Sequence, residues 1–374
     1  MGKLGVSIYP ERSNFEADKA YLDLAHQHGF KRVFTSLLEI DGDKEGVLAA
    51  FKKVVDYANQ LGMEVMVDIN LGLFTQLNIS YDDLSFFHEM GADGVRLDIG
   101  FTGAEEARMT RNPYGIKIEI NMSQGTTYVD SIMDYSPDTE KLLGSHNFYP
   151  HRYTGLEFNH YLKCTEKFKG YNLNTMAFVN SQAATFGPWP TQDGLCTLED
   201  HRSLEIATQV KHYKLLGGID DVTIANAYAS EEELKAMSQA FNASMPEIKV
   251  VPRETISENE RKCLFEATHS YRGDKSAYML RSTMTRITYK DLEFPAHDTD
   301  KIQRGDVIID NEGYGQYKGE TQIALREMEN DGRVNVVGRI AKEEFHERNY
   351  CVDGEISRPC CGKDWVSKTP SCAA

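Results

Sequence analysis

The sequence predicts an α/β protein built as an N-terminal (β/α)8 TIM-like barrel with a C-terminal, mostly β domain. Three observations carry this. The chain has 374 residues, more than one hydrophobic core usually organises. Its first 245 residues alternate short β-branched runs with longer amphipathic ones, eight times over. After residue 246 that rhythm stops and short strand-like runs take over, some of them separated by glycine turns. The expected division is therefore a barrel over 1–245, a β domain over 246–350 and a loose tail over 351–374.

The eight expected strands are Leu4–Pro10, Arg32–Glu39, Glu64–Asn70, Gly94–Ile99, Lys117–Ser123, Leu142–Tyr149, Asn172–Ser181 and Asp221–Ala227. Their starts are spaced by 28, 32, 30, 23, 25, 30 and 49 residues, where a βα unit needs roughly 30. Helix starts are expected at six hydroxyl–carboxylate pairs three residues apart: Ser13/Glu16, Ser80/Asp83, Thr102/Glu105, Thr154/Glu157, Thr197/Asp200 and Ser230/Glu233. In such a box the hydroxyl accepts from an orphan N–H and the carboxylate reaches back. Gly29, Gly62, Gly91, Gly170 and Gly217 stand where those helices should end. Phe51, Val54, Val55, Ala58 and Leu61 share one helical face and should pack on the sheet. The rival fold, a doubly wound sheet, normally carries a glycine-rich turn after its first strand. Here that turn reads Tyr9-Pro10-Glu11-Arg12-Ser13-Asn14. Beyond residue 246, strands are expected at Ala277–Ser282, Asp306–Asp310 and Val334–Val337.

Composition narrows the function classes. Apolar residues make up 41% of the chain and the net charge is −16. That balance argues against nucleic acid or an anionic membrane surface as a partner, while leaving room for a small anionic ligand. No apolar run reaches the length of a membrane span. The N-terminus turns polar after seven residues without an apolar leader core, and seven sparse cysteines fit free thiols in a reducing compartment. A cytoplasmic protein is expected. Cys351, Cys360, Cys361 and Cys372 lack the tight pairing of a zinc site, and no metal or cofactor is expected.

In a (β/α)8 barrel the chemistry sits at the C-terminal strand ends. Three neighbouring strands each place two polar residues on one face there: Asp68 and Asn70, Arg96 and Asp98, Glu119 and Asn121. Burying such groups unpaired is costly. They are either an internal ion pair, Arg96 with Asp98 or Glu119, or the wall of a polar pocket, and three strands doing the same favours the pocket. The sixth strand runs into His146, Asn147, Tyr149 and Arg152; the seventh and eighth end at Asn180 and Asn226. Amides and aromatics at a barrel mouth suit a polyhydroxylated ligand. Residues 182–196 form a long connection carrying Trp189 between two prolines, a candidate lid or sugar platform. Several carboxylates around one mouth, with Glu11 after the first strand, suit glycoside hydrolysis, which uses an acid and a base or nucleophile.

Five segments together are familiar: GVSIYPE at the start, GVRLD in the fourth strand, IEINMS in the fifth, HNFYPHRYTGL after the sixth, and GDVIIDNEGYGQYKGE in the second domain. They resemble the bacterial 6-phospho-N-acetylmuramidases of the MupG type, a family first described as outer surface proteins of unknown function. The resemblance covers the chain to about residue 345. It implies a TIM-like barrel with a cyclophilin-like β domain. It also implies cytoplasmic hydrolysis of the β-1,4 bond in N-acetylmuramic acid 6-phosphate–N-acetylglucosamine during peptidoglycan recycling, so the partner is a small phosphorylated disaccharide. Within that reading Asp98 and Glu119 are the first catalytic candidates and Asp68 the next, on strand-end position. Arg96 and Arg152 are candidates for the phosphate or lactyl carboxylate. Tyr9, Glu11, Asn70, Asn121, His146, Asn147, Tyr149, Asn180 and Asn226 are the remaining substrate-binding candidates. Arg281, Tyr314 and Lys318 are candidates from the second domain. Two alternatives stand beside this: a phosphosugar aldolase or isomerase, with Lys117 as a Schiff-base residue, and a non-enzymatic surface carbohydrate-binding protein.

Overall fold

All eight expected strands form, and they close into one parallel barrel in sequence order. They are β1 (Leu4–Ile8), β2 (Arg32–Leu37), β3 (Glu64–Ile69), β4 (Gly94–Leu97), β5 (Lys117–Asn121), β6 (Leu142–Ser145), β7 (Asn174–Val179) and β8 (Asp221–Ile224). The computed structural model describes residues 2–37, 44–77, 79–191, 193–270, 272, 274, 276–344 and 364–368. Helices α1 (Phe15–Gln27), α2 (Lys44–Gln60), α3 (Leu71–Gln76), α4 (Ser85–Glu89), α5 (Ala104–Met109), α6 (Tyr128–Asp134), α7 (Phe158–Gly170), α8 (Ile206–Leu216) and α9 (Glu231–Asn242) alternate with the strands. On α2, Phe51, Val54, Val55 and Ala58 are buried as expected. Among the described residues no helix is long and apolar enough to cross a membrane.

Apart from β2, whose next residues lie outside those described, each strand stops one to four residues before its β-prone run ends. The overhang is the barrel rim. There side chains replace the strand ladder: Asn121 Oδ1 accepts from Ser123 N, and Asn226 Oδ1 from Ser181 N.

The helix starts differ more. Only Ser230/Glu233 closes as a reciprocal box, with Glu233 N donating to Ser230 Oγ and Ser230 N to the Glu233 carboxylate. Helix α1 is capped by Asn14, α7 by Glu157 itself, and α5 by Gly103 with Glu106 reaching back to its N–H. Ser80 and Thr197 cap no helix: Ser80 Oγ accepts from Asp82 N, and the Thr197 hydroxyl donates to Asn147 O. Hydroxyls near a carboxylate satisfy many local turns, so spacing alone does not select the cap. At the other ends, Gly29 and Gly62 take positive φ as expected, but Gly170 stays within α7 and Asn172, at φ 55°, makes the reversal.

The chain forms two compact units, Met1–Val210 with Gly218–Phe241 and Lys211–Gly217 with Asn242–Ala374. The second unit holds β9 (Glu247–Pro252), α10 (Glu258–Phe265), β10 (Thr268–Ser270), β11 (Met279–Ser282), α11 (Met284–Thr288), β12 (Asp306–Asp310), β13 (Thr321–Ala324), β14 (Val334–Ile340) and β15 (Asp364–Lys368). The sheet order is β10-β15-β9-β14-β12-β13-β11, antiparallel except where β15 runs parallel to β9. The expectation of a loose tail thus does not extend to Asp364–Lys368, which form a strand; the four tail cysteines lie outside the described residues. Strand alternation splits the apolar residues between two faces. Val307, Ile309, Ile323 and Val337 join one core around Phe294, while Ile308, Ala324, Val334 and Val336 build a second cluster with Ile302.

Candidate active site

The barrel register sets Asp68 beside Arg96 and Arg96 beside Glu119, three charged residues in one row across β3, β4 and β5. Pleating turns all three to the lumen. Arg96 is buried and organises the upper layer. Its Nη1 lies 2.6 Å from Asp68 Oδ1 and 3.6 Å from Asp98 Oδ1. Its Nε donates to Ser145 Oγ at 2.8 Å, and its Nη2 to Asn147 Oδ1. Because one nitrogen touches both aspartates, their nearest oxygens are no farther apart than those two contacts combined. Asp68 is 4% exposed, and burial pushes its carboxyl up to about 6, against the pull of Arg96 and with Asp98 and Glu119 adding to the rise. Asp98 follows the end of β4, with 43% of its side chain exposed.

Glu119 sits deeper and has no exposed surface. One of its oxygens meets Arg32 Nη2 and the other lies 3.9 Å from Arg96 Nε. Arg32, wholly buried at the start of β2, also reaches Asp221 at 3.2 Å and Glu64 at 4.0 Å. The expected partners of Arg96, Asp98 and Glu119, lie at 3.6 and 3.9 Å; its close partner is Asp68, and Glu119 belongs first to Arg32. Lys117 opens β5 and bonds Glu64 at 2.7 Å, at the opposite end of its strand from the mouth.

Other expected contacts divide into two groups. Asn121 stays at the mouth, its amide donating to Asp98 O at 3.3 Å. Asn70 follows β3 and is half-buried, and Glu11 lies exposed in the turn after β1. Tyr149 is half-buried; burial raises its phenol, and both Arg96 and Asp98 act on it electrostatically. Arg152 is exposed, with its Nε 3.4 Å from Asp193. In the second group the polar atoms are committed to the scaffold. Tyr9 donates its hydroxyl to Ala225 O. Asn180 accepts from Leu195 N and donates to Arg202 O. Asn226 pairs in both directions with the Ser181 backbone. His146 spans Ser123 Oγ and Thr165 Oγ1 at 3.2 and 2.9 Å, stacks on Tyr161, and burial holds it down at about 3.

A brace absent from the sequence reading holds the mouth loops. Arg202 Nε and Nη2 grip Glu199 at 2.7 and 2.6 Å, while Nη1 donates to the carbonyls of Tyr149, Asp193 and Gly194. Glu199 in turn accepts from Tyr153 N and Gly155 N. Ile99, Tyr153 and Trp189, on the loops after β4, β6 and β7, are 62%, 86% and 39% exposed. In the second domain, Arg281 pairs with Glu320 at 2.6 Å, Tyr314 lies under Arg333, and Lys318 pairs with Glu312 at 3.1 Å.

A closed parallel barrel whose C-terminal rim carries two aspartates on one arginine, with exposed rings on the surrounding loops, has the form of a barrel enzyme acting on sugars. Comparison with known proteins narrows the class. The family models for the 6-phospho-N-acetylmuramidase N-terminal and C-terminal regions match residues 4–239 and 246–346, and the chain belongs to that family. Among solved structures, an uncharacterized B. cereus protein is 42% identical with a TM-score of 0.85, covering 98% of this chain and 99% of its own. A conserved Enterococcus faecalis protein of unknown function is 25% identical with a TM-score of 0.69, covering 99% and 97%. No curated protein matches the chain. The family is that of a glycosidase.

Proposed function

We propose that the chain hydrolyses the β-1,4 bond of N-acetylmuramic acid 6-phosphate–N-acetylglucosamine at the barrel mouth, as a cytoplasmic step of peptidoglycan recycling, with Asp68 and Asp98 as the reacting pair. The observation that carries this is the shared Arg96 nitrogen, which holds a buried carboxyl raised to about 6 next to a half-exposed carboxylate. Asp68 protonates the departing sugar oxygen. Asp98 attacks the anomeric carbon, and water then enters with Asp68 as base. Glu119, closed in by Arg32, supplies charge to the upper layer and does not react. Each Arg96 nitrogen already has a partner, so the exposed Arg152 is assigned to the substrate's phosphate or lactyl carboxylate, while Asn70, Asn121 and Tyr149 meet hydroxyls and the acetamide. The second domain is read as cyclophilin-like, with no activity carried over from that fold.

The test is hydrolysis of the phosphorylated disaccharide by purified protein, followed by NMR of the first-formed anomer. Nearest oxygens on the order of 6 Å apart or closer fall below the spacing of inverting pairs, so retention is expected. Cleavage with inversion would remove Asp98 as nucleophile. Equal cleavage of the unphosphorylated disaccharide would remove the anion-binding role of Arg152.

A further inference from the structure

The second domain carries a cleft of its own, of about 840 Å³. Its floor is the apolar cluster of Ile302, Ile308 and Val334, onto which Tyr314 and Met328 pack. Two buried polar side chains face into it. Asp310 and Gln322 are 6% and 4% exposed, and Gln322 Nε2 donates to Asp310 Oδ2 at 3.1 Å. Among the described residues, the other Asp310 oxygen and the Gln322 carbonyl oxygen have no hydrogen-bond partner. Beside them, Arg281 commits Nε to Glu320, and its two terminal nitrogens have no described partner. Tyr317 adds a ring that is 39% exposed.

Charge selects among ligands. Arg281 and Arg286 are both taken up by the buried Glu320. Arg333 is paired with Asp331 and lies over the Tyr314 ring. Burial, with Glu320 close by, pushes Asp310 up to about 7. Among the described residues three cations, Arg281, Arg286 and Arg333, thus face three carboxylates, Glu320, Asp331 and Asp310, so the cleft carries no excess of positive charge once Asp310 is ionised, and an added anion would then meet Asp310 and Glu320. An apolar floor, aromatic rings and a short polar edge match a molecule with one apolar face and hydroxyls around its rim.

We propose that this cleft is a binding site for an uncharged sugar ring, seated on the apolar floor at Met328 beside the Tyr317 ring and hydrogen-bonded by Asp310, Gln322 and Arg281. The inference does not depend on the barrel's activity. The experiment titrates the full chain, labelled at methionine methyls, with N-acetylglucosamine. Saturable shifts are expected at Met279 and Met328, both of which line the cleft. Tyr317→Ala removes an exposed ring and Gln322→Leu a buried hydrogen bond; each should weaken the binding by roughly tenfold. Unmoved methyls at Met279 and Met328 in the wild-type chain overturn the proposal. So does affinity unchanged in both variants. Tighter binding of N-acetylglucosamine 6-phosphate at the same methyls overturns the assignment to an uncharged ring.

Discussion

The barrel lumen holds two charge clusters stacked one above the other, and they are built differently. In the lower one, among the described residues, Lys3, Arg32 and Lys117 face Glu64, Asp221 and Glu119. Cations and carboxylates balance. In the upper one Arg96 alone serves Asp68 and Asp98, with a distant share of Glu119. A balanced cluster satisfies itself and holds strands together. A cluster with one cation for two aspartates leaves its most buried acid raised to about 6, chiefly by burial, beside a second acid facing solvent. Geometry and fold are shared; in the proposed reading the difference in counter-charge separates a scaffold from a reaction site.

The largest effect expected from breaking the upper cluster is on rate. Asp98→Asn should lower kcat on the phosphorylated disaccharide by roughly 10⁴-fold, while the urea unfolding midpoint holds, since the side chain is half exposed. Near-normal turnover would dissolve the distinction between the layers. Breaking the lower cluster should act on stability instead. Arg32→Met removes the close cation from buried Glu119 and Asp221, while Glu64 keeps Lys3 and Lys117, and should cost about 3–5 kcal/mol, read by equilibrium denaturation.

Protonation sharpens the comparison. With Asp68 at about 6, kcat/KM should fall as pH rises through that value, because the acid form is the one required. The sign for stability is the same. The folded state holds this proton more tightly than the unfolded chain, whose carboxyl titrates near 3.8. Its contribution is thus full at low pH and lost between about 4 and about 6. Asp68→Asn should flatten that part of the stability profile. The smallest effect belongs to Lys117→Met. Its Nζ pairs with Glu64 on a side chain 30% exposed, so about 1 kcal/mol or less is expected, with activity retained. Loss of turnover in that variant, or trapping by borohydride, would favour a Schiff-base mechanism.

The eight strands were legible because a buried parallel strand reads as a short, nearly continuous apolar run, and the polar pairs at Asp68, Arg96 and Glu119 stood out against that background. What stayed hidden depended on partners far away in sequence. Arg32 opens its strand after Lys31 and reads as an ordinary solvated junction; only Asp221 and Glu119, 189 and 87 residues away, show it to be internal. His146, Asn180 and Asn226 have the residue types of a sugar site, and nothing local reveals that backbone groups and hydroxyls already use them. The helix caps failed for the opposite reason. A hydroxyl three residues before a carboxylate is common enough that turns and caps share the pattern.

The Arg202–Glu199 brace has a consequence for how the mouth can change over generations. It grips loops by their carbonyls and N–H groups at Tyr149, Tyr153, Gly155, Asp193 and Gly194, groups that every residue except proline supplies in full. Side chains at Tyr149 and Asp193 can therefore be exchanged while the loop paths persist, whereas Gly155, where a Cβ would lie 2.6 Å from Glu199 Oε2, and Gly194, at φ 96°, are held to glycine. The mouth is a mount with some replaceable fittings, and Arg202 and Glu199 keep it so.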